Sequence, residues 1–302
     1  MHERQRRRLR LVLSALTLGE PGEDRDPPSR PAAAPDDRAH DVPARAAGHE
    51  EVAWPRPVGS SAAGSHGAEL PAPAHGFVVA VSSVSGGGKT TLVKRAAALL
   101  GAAALFFDDY SDGSTVPPDL PQWLRDGAIA DEWKTPRFAQ DVGALRQGRS
   151  VTVRQLGAGA DVDTLGRKSG DTVQPGQFVV IEEPMGRRRA EMAPHIDFVV
   201  VIDTPLEVAL ARRMLRDTAS TPRGGVAAWL MGRRRDRRGL EYVRGFLEGY
   251  LEEGREVYQR VQDQAKASCD LILDGEADPS ELARQLVEAV RAKAALLQSS
   301  GP

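Results

Sequence analysis

Phe77-Val78-Val79-Ala80-Val81 leads through Ser82 into Ser83-Val84-Ser85-Gly86-Gly87-Gly88-Lys89-Thr90-Thr91. An apolar run of this kind, with no polar alternation, predicts a strand covered on both faces. The stretch from Ser83 to Thr90 reads as G-x-x-x-x-G-K-[ST] with Ser83 at the first glycine position. Backbone N–H groups can curl around phosphate oxygens only where Cβ atoms do not obstruct them, hence the glycines. The helix that opens at Lys89 adds the partial positive charge of its N-terminus. Lys89 reaches β/γ oxygens and the Thr90 hydroxyl suits Mg²⁺. The nucleotide-binding set is therefore Ser85, Gly86, Gly87, Gly88, Lys89, Thr90 and Thr91, and the implied cofactors are ATP and Mg²⁺. The competing reading is a glycine-rich turn that binds nothing; strand, glycines, lysine and threonines falling in one register argue against it. If Ser83 has to adopt a positive φ, it costs about 1 kcal/mol.

Further apolar runs occur at Ala104-Leu105-Phe106-Phe107, Phe178-Val179-Val180-Ile181, Phe198-Val199-Val200-Val201-Ile202 and Leu271-Ile272-Leu273. Helical patterns separate them over 89–100, 136–146, 205–217, 240–264 and 279–297. In the fourth, Val243, Phe246, Leu247, Tyr250, Leu251, Val257, Tyr258 and Val261 predict one buried stripe. Strand and helix in alternation predict an α/β, doubly wound parallel sheet, whose ligands bind beyond the carboxyl ends of the strands.

Charged residues stand at those ends. Asp108-Asp109 closes the second run, where a carboxylate can take the proton of an attacking hydroxyl; Asp also fits a turn. Glu182-Glu183 closes the third, where Mg²⁺ or its waters are held, and Glu182 is the expected ligand. Arg212 and Arg216 share a helix face with Arg213 beside them. Leu206, Leu210 and Met214 are expected to pack on the sheet and leave the arginines over the site, where guanidinium groups stabilise a transferring phosphoryl group. Arg187-Arg188-Arg189 and Arg233–Arg238 are denser clusters. No aromatic interleaving or nucleic-acid motif accompanies the second, so it reads as a charged helix surface and nucleic acid is not an expected partner.

Composition bounds the rest. Of 302 residues, 40 are Lys or Arg and 42 Asp or Glu, a balance without a global drive toward nucleic acid or acidic lipid. No apolar run approaches the roughly 18–20 residues of a membrane span, so no membrane partner is expected. The single Cys269 suits a reducing, cytoplasmic setting. Ten of the 21 prolines precede residue 75, in a segment without helical or strand periodicity. Residues 1–75 are read as a disordered Pro/Ala/Arg-rich tail. Arg6-Arg7-Arg8 before Leu9–Leu18 outlines a signal peptide but lacks a good cleavage site, and reads as a frayed helical turn. The globular domain then spans 76–298.

Together, the loop at 83–91, Phe107-Asp108-Asp109-Tyr110, Val180-Ile181-Glu182-Glu183-Pro184, Asp203-Thr204-Pro205 and Ala211-Arg212-Arg213-Met214-Leu215-Arg216-Asp217 resemble the uridine kinase, phosphoribulokinase and nicotinamide riboside kinase family of P-loop small-molecule kinases. The resemblance implies a five-stranded parallel core, Asp108 as base toward the acceptor hydroxyl, Glu182 as the family's strand-end acid, and a lid around 212–239. Asp161-Val162-Asp163-Thr164-Leu165-Gly166-Arg167 resembles the family's Y-D-x-x-T-x-x-R segment, which implies substrate contacts for Arg167, as for Asp109 and for Asp131 or Glu132. Ala160 and Leu165 replace the Tyr and His that contact pyrimidines, an argument against uridine or cytidine as acceptor. Glu183 replaces a family glycine.

The expectation is thus transfer of the γ-phosphoryl group of ATP to a hydroxyl of a small metabolite. Two alternatives stand beside it. The run 178–183 also fits a P-loop ATPase in which Glu183 polarises water, and Asp163–Gly166 mimics a GTPase D-x-x-G, though the chain has no N-K-x-D. The chain also fits a nucleotide-sensing module whose tail recruits a partner.

Overall fold

A computed structural model describes residues 76–111, 115, 117–153, 163–219 and 237–299. The tail, Ala160 to Val162, and 220–236 of the expected lid lie outside the described residues.

The elements in chain order are β1 (Phe77–Ser82), α1 (Lys89–Leu100), β2 (Ala103–Phe106), α2 (Leu120–Arg125), α3 (Pro136–Arg146), β3 (Val151–Thr152), β4 (Thr172–Val173), β5 (Phe178–Glu182) and β6 (Phe198–Asp203). They continue with α4 (Leu206–Ala219), α5 (Arg237–Gly249), α6 (Arg255–Lys266), β7 (Leu271–Asp274) and α7 (Pro279–Ser299). The main sheet is five-stranded and parallel in the order β2-β5-β1-β6-β7.

All six residues of β1 are buried because both faces of the sheet are covered. Val78 and Ala80 point into a core with Phe138, Val142 and Leu145 of α3. Val79 and Val81 point into the opposite core, with Leu92 and Val93 of α1 and Leu286 and Val290 of α7. The strand period of two thus feeds two cores at once, and Phe77 to Val81 are accordingly all apolar, while the buried Ser82 at the strand end donates to the Glu183 carbonyl. The five expected strands are all present, and the helices expected over 89–100 and 136–146 have the expected bounds.

The region 240–264 differs from the single helix expected. A π turn over Tyr250–Gly254 separates α5 from α6. The wider turn resets the helical face: Tyr250, Val257 and Tyr258 are buried, while Leu251 is 77% exposed. The expected stripe therefore fails at Leu251. The stripe of α4 also lies elsewhere than expected. Leu206, Leu210 and Met214 pack not on the sheet but on a third cluster of Val84, Ala209, Phe246, Tyr250 and Tyr258. That cluster joins α4, α5 and α6 to the loop after β1. Two features absent from the sequence reading are α2 and the antiparallel pair β3–β4. No helix among the described residues is long and apolar enough to cross a membrane.

Candidate functional site: a phosphate loop facing strand-end carboxylates

The loop between β1 and α1 is shaped by three local requirements. Gly86 has φ +83° and Gly88 φ +100°, conformations that disfavour a side chain. A Cβ on Gly86 would also lie 2.1 Å from the Ala209 carbonyl oxygen, so the loop is wedged against α4. The first turn of α1 has no side-chain cap and no acidic residue. Its N–H groups remain available to an anion.

Ser83 does not carry the expected strain: Ala128 is the only non-glycine residue with positive φ among those described. Ser83 instead donates from Oγ to the Ile202 carbonyl at 2.8 Å. The serine therefore pins the loop to the neighbouring strand. Thr204 Oγ1 donates to the Gly87 carbonyl at 3.0 Å, and Lys89 Nζ to that of Val84 at 3.2 Å.

Opposite the loop, β5 brings Glu182, which is 3% exposed. Its Oε2 accepts from Thr90 Oγ1 at 2.9 Å, and its Oε1 lies 3.5 Å from Lys89 Nζ. A hydroxyl and a carboxylate side by side are the hard oxygen donors Mg²⁺ takes, the remaining positions being left to phosphate oxygens and water. No group of three or more His, Cys, Asp or Glu among the described residues could cage a metal alone. Thr90 and Glu182 are the side chains present that would hold such an ion.

Asp108 succeeds β2 and lines the same cavity, about 400 Å³ in volume, as Lys89, Thr90 and Glu182. Burial pushes its pKa up to about 7, with the Glu182 carboxylate adding to the rise and Lys89 opposing it. A carboxylate in that range takes a proton from an alcohol far more readily than an ordinary aspartate. Ser85, Gly86, Gly88 and Thr91 also line the cavity, as do the exposed Arg212 and Arg216.

Three expected substrate residues do not. Both carboxylate oxygens of Asp109 accept from Thr164, its N–H at 3.0 and 3.2 Å and its Oγ1 at 2.7 Å. Burial raises the Asp109 pKa and these bonds lower it. Arg167 is bonded through Nε to Asp163 at 2.5 Å and through Nη2 to the Ala104 carbonyl at 3.0 Å. Glu132 is exposed. Its neighbour Asp131 accepts from the Ala190 N–H at 2.6 Å.

Glu183 also departs from expectation. It is fully buried and ion-paired with the equally buried Arg189 at 2.5 Å, which also donates to the Trp133 carbonyl and to Thr135 Oγ1. Its carboxylate is turned into the core rather than toward an attacking water.

Arg213, expected over the site beside Arg212 and Arg216, is instead buried, and with Tyr258 it supports the loop from behind, a role the sequence reading did not assign. Arg213, 2% exposed, donates from Nη1 to Ser85 Oγ at 2.6 Å. Its Nε lies 3.1 Å from Asp217 and its guanidinium 5.0 Å from the Phe246 ring centroid. Tyr258, whose pKa burial pushes up to about 12, bonds Ser85 and Arg213. The available signal was an arginine at i+3 from an apolar position of α4, inside rather than outside the stripe.

No family model and no curated protein matches the chain. Among solved structures it is similar to a protein described as a possible uridine kinase from Bacillus stearothermophilus, at 18% identity and a TM-score of 0.36, over 67% of this chain and 90% of that one. It is also similar to shikimate kinase from Aquifex aeolicus, at 14% identity and 0.34, over 72% and 98%. Shikimate kinase from Acinetobacter baumannii, in complex with shikimate, is similar at 15% and 0.30, over 72% and 94%.

Proposed function

We propose that the chain is an ATP-dependent phosphotransferase that moves the γ-phosphoryl group to a hydroxyl of a small molecule. One observation carries the reading: Asp108, with its pKa raised to about 7, shares a single cavity with the phosphate loop. A module that only senses nucleotide has no use for a buried carboxylate whose desolvation destabilises the fold. In the proposed reaction the loop amides and Lys89 hold the β- and γ-phosphates, and Thr90 and Glu182 are the side chains that would hold Mg²⁺. The metal, when bound, neutralises charge on the transferring group. Asp108 accepts the hydroxyl proton as the oxygen attacks the γ-phosphorus, and ADP leaves. Arg212 and Arg216, at the cavity rim, bear on the same charge.

The test is ATP consumption measured with and without alcohols. Lys89→Ala is expected to lose at least about a hundredfold in turnover; unchanged turnover overturns the assignment of the loop. Acceptor-independent hydrolysis equal to the rate with every alcohol overturns phosphotransfer. The P-loop ATPase alternative assigned water activation to Glu183, and the buried pair with Arg189 takes that residue away from it.

A further inference from the structure

The cavity has two unlike flanks. The sheet order places the ends of β2 and β5 on one side of the phosphate loop and β6, with α4 after it, on the other. Apart from Lys89, the cations that line the cavity, Arg212 and Arg216, both come from α4. Arg212 reaches further outward still, donating from Nη1 to the carbonyl of Gly275, just past β7, at 2.9 Å.

The flank beside Asp108 is built otherwise. Its walls are Phe107, Trp133, Pro184, Met185 and Val261; Phe107, Trp133 and Met185 belong to one buried cluster with Val261 packed on it. The carboxyls nearest this flank are those of Asp108 and Glu182, with Lys89 3.5 Å from Glu182 on the loop side and the buried Tyr258 on the same helix as Val261. Three arginines stand near but do not line the cavity. Arg213, buried on α4 and paired with Asp217, bears on the Asp108 charge. Arg189 lies 5.3 Å from the Phe107 centroid, its charge met by Glu183 and Glu191. Arg137 lies over the Tyr110 ring and 4.0 Å from Asp141.

Resting on the phosphotransfer reading, we infer that this flank receives an uncharged alcohol with a flat or apolar carbon body, and that it rejects phosphorylated and carboxylated alcohols. An anionic acceptor has to shed water against apolar walls and approach the Asp108 carboxyl and the bound triphosphate, while the nearest cations among the described residues, Lys89 and Arg213, are already met by Glu182 and Asp217. Both effects discriminate by repulsion rather than by added attraction. A neutral body costs far less to dehydrate than an anion and gains contact with Phe107, Met185 and Val261.

Matched pairs test this on the full chain. Benzyl alcohol is set against 4-(hydroxymethyl)benzoate, inosine against inosine 3′-monophosphate, and glycerol against glycerol 3-phosphate. Binding to the protein saturated with Mg²⁺ and a non-hydrolysable ATP analogue is followed by tryptophan fluorescence, and transfer is followed from ATP. The neutral member is expected to bind at least about tenfold more tightly in each pair, and benzyl alcohol or inosine more tightly than glycerol. Val261→Lys, a half-buried wall position, is expected to narrow or reverse the preference. Equal or tighter binding of the charged members overturns the inference, as does failure of every neutral probe to bind at millimolar concentration. Neutral probes that bind but receive no phosphoryl group from ATP count against the phosphotransfer reading instead, so the two failures are distinguishable.

Discussion

In the proposed reaction Asp108 is a residue that trades stability for chemistry. Its pKa of about 7 in the folded chain stands above the ordinary 3.8, so folding disfavours its charged form. Well below pH 3.8 the group is neutral in both states and contributes nothing. Between the two values the unfolded chain releases the proton and the folded chain keeps it, so stability falls as pH rises, and levels off above about 7. Asp108→Asn is therefore expected to raise Tm by several degrees at pH 8 and by little at pH 4, while nucleotide binding persists and transfer is lost. Thermal unfolding across pH checks the first part, and a Tm gain independent of pH contradicts it. Transfer by the parent protein should rise through an acid limb near pH 7, visible in kcat/KM. Ser83 carries an opposite lesson. Restoring the glycine of the motif removes the bond to the Ile202 carbonyl and relieves no positive φ. Ser83→Gly is expected to lower stability by about 1 kcal/mol rather than raise it, as measured by denaturant unfolding.

At the scale of elements, α4, α5 and α6 meet the phosphate loop through a few side chains. Arg213 lies over Phe246, which stacks on Tyr250 at 6.5 Å between centroids and 17° between planes. Tyr250 in turn lies 5.9 Å from Tyr258. The π turn makes this possible by turning Tyr250 and Tyr258 to one side. Arg213 thus positions Ser85 without being placed on the reacting atoms. Phe246→Ala is expected to cost about 3–5 kcal/mol and to raise KM for ATP more than it lowers kcat, since it loosens the hold on the loop. Arg213→Lys, which keeps the charge but loses the planar fork, should show the same KM-weighted split with a smaller stability loss. Equal falls in kcat and kcat/KM would place Arg213 on the transferring group instead. Apart from the arginine set inside the α4 stripe, none of this was legible in the period of the apolar residues. Leu251 and Tyr258 fit one stripe on an uninterrupted helix, and only the wider turn at 250–254 separates an exposed leucine from a buried tyrosine.

For the molecule as a whole, what could be read from sequence is what depends on short range. The inner strands are apolar runs because both faces are covered, and the loop is a run of glycines because its backbone must turn, so both announce themselves locally. Partners distant in sequence do not. Asp109 looks like a second acid of the site until Thr164, 55 positions away, takes both its oxygens. Glu183 looks like the water-polarising acid of an ATPase until Arg189 reaches it. That pair ties separate parts of the domain together. Ser82 Oγ at the end of β1 donates to the Glu183 carbonyl at 2.5 Å, Met185 N–H donates to its carboxylate at 3.1 Å, and Arg189 carries the link on to Trp133, Thr135 and Glu191. Glu183→Gln leaves the buried guanidinium short of its main counter-charge and is expected to cost about 3–5 kcal/mol. Replacing both partners by apolar residues, Glu183→Leu with Arg189→Met, removes the stranded charge and is expected to recover much of that loss. Neither change should alter acceptor-independent ATP hydrolysis per folded molecule, measured well below the melting transition. A hydrolysis rate that falls about a hundredfold in Glu183→Gln, at a temperature where circular dichroism shows it still folded, would return Glu183 to the reaction and the ATPase reading with it.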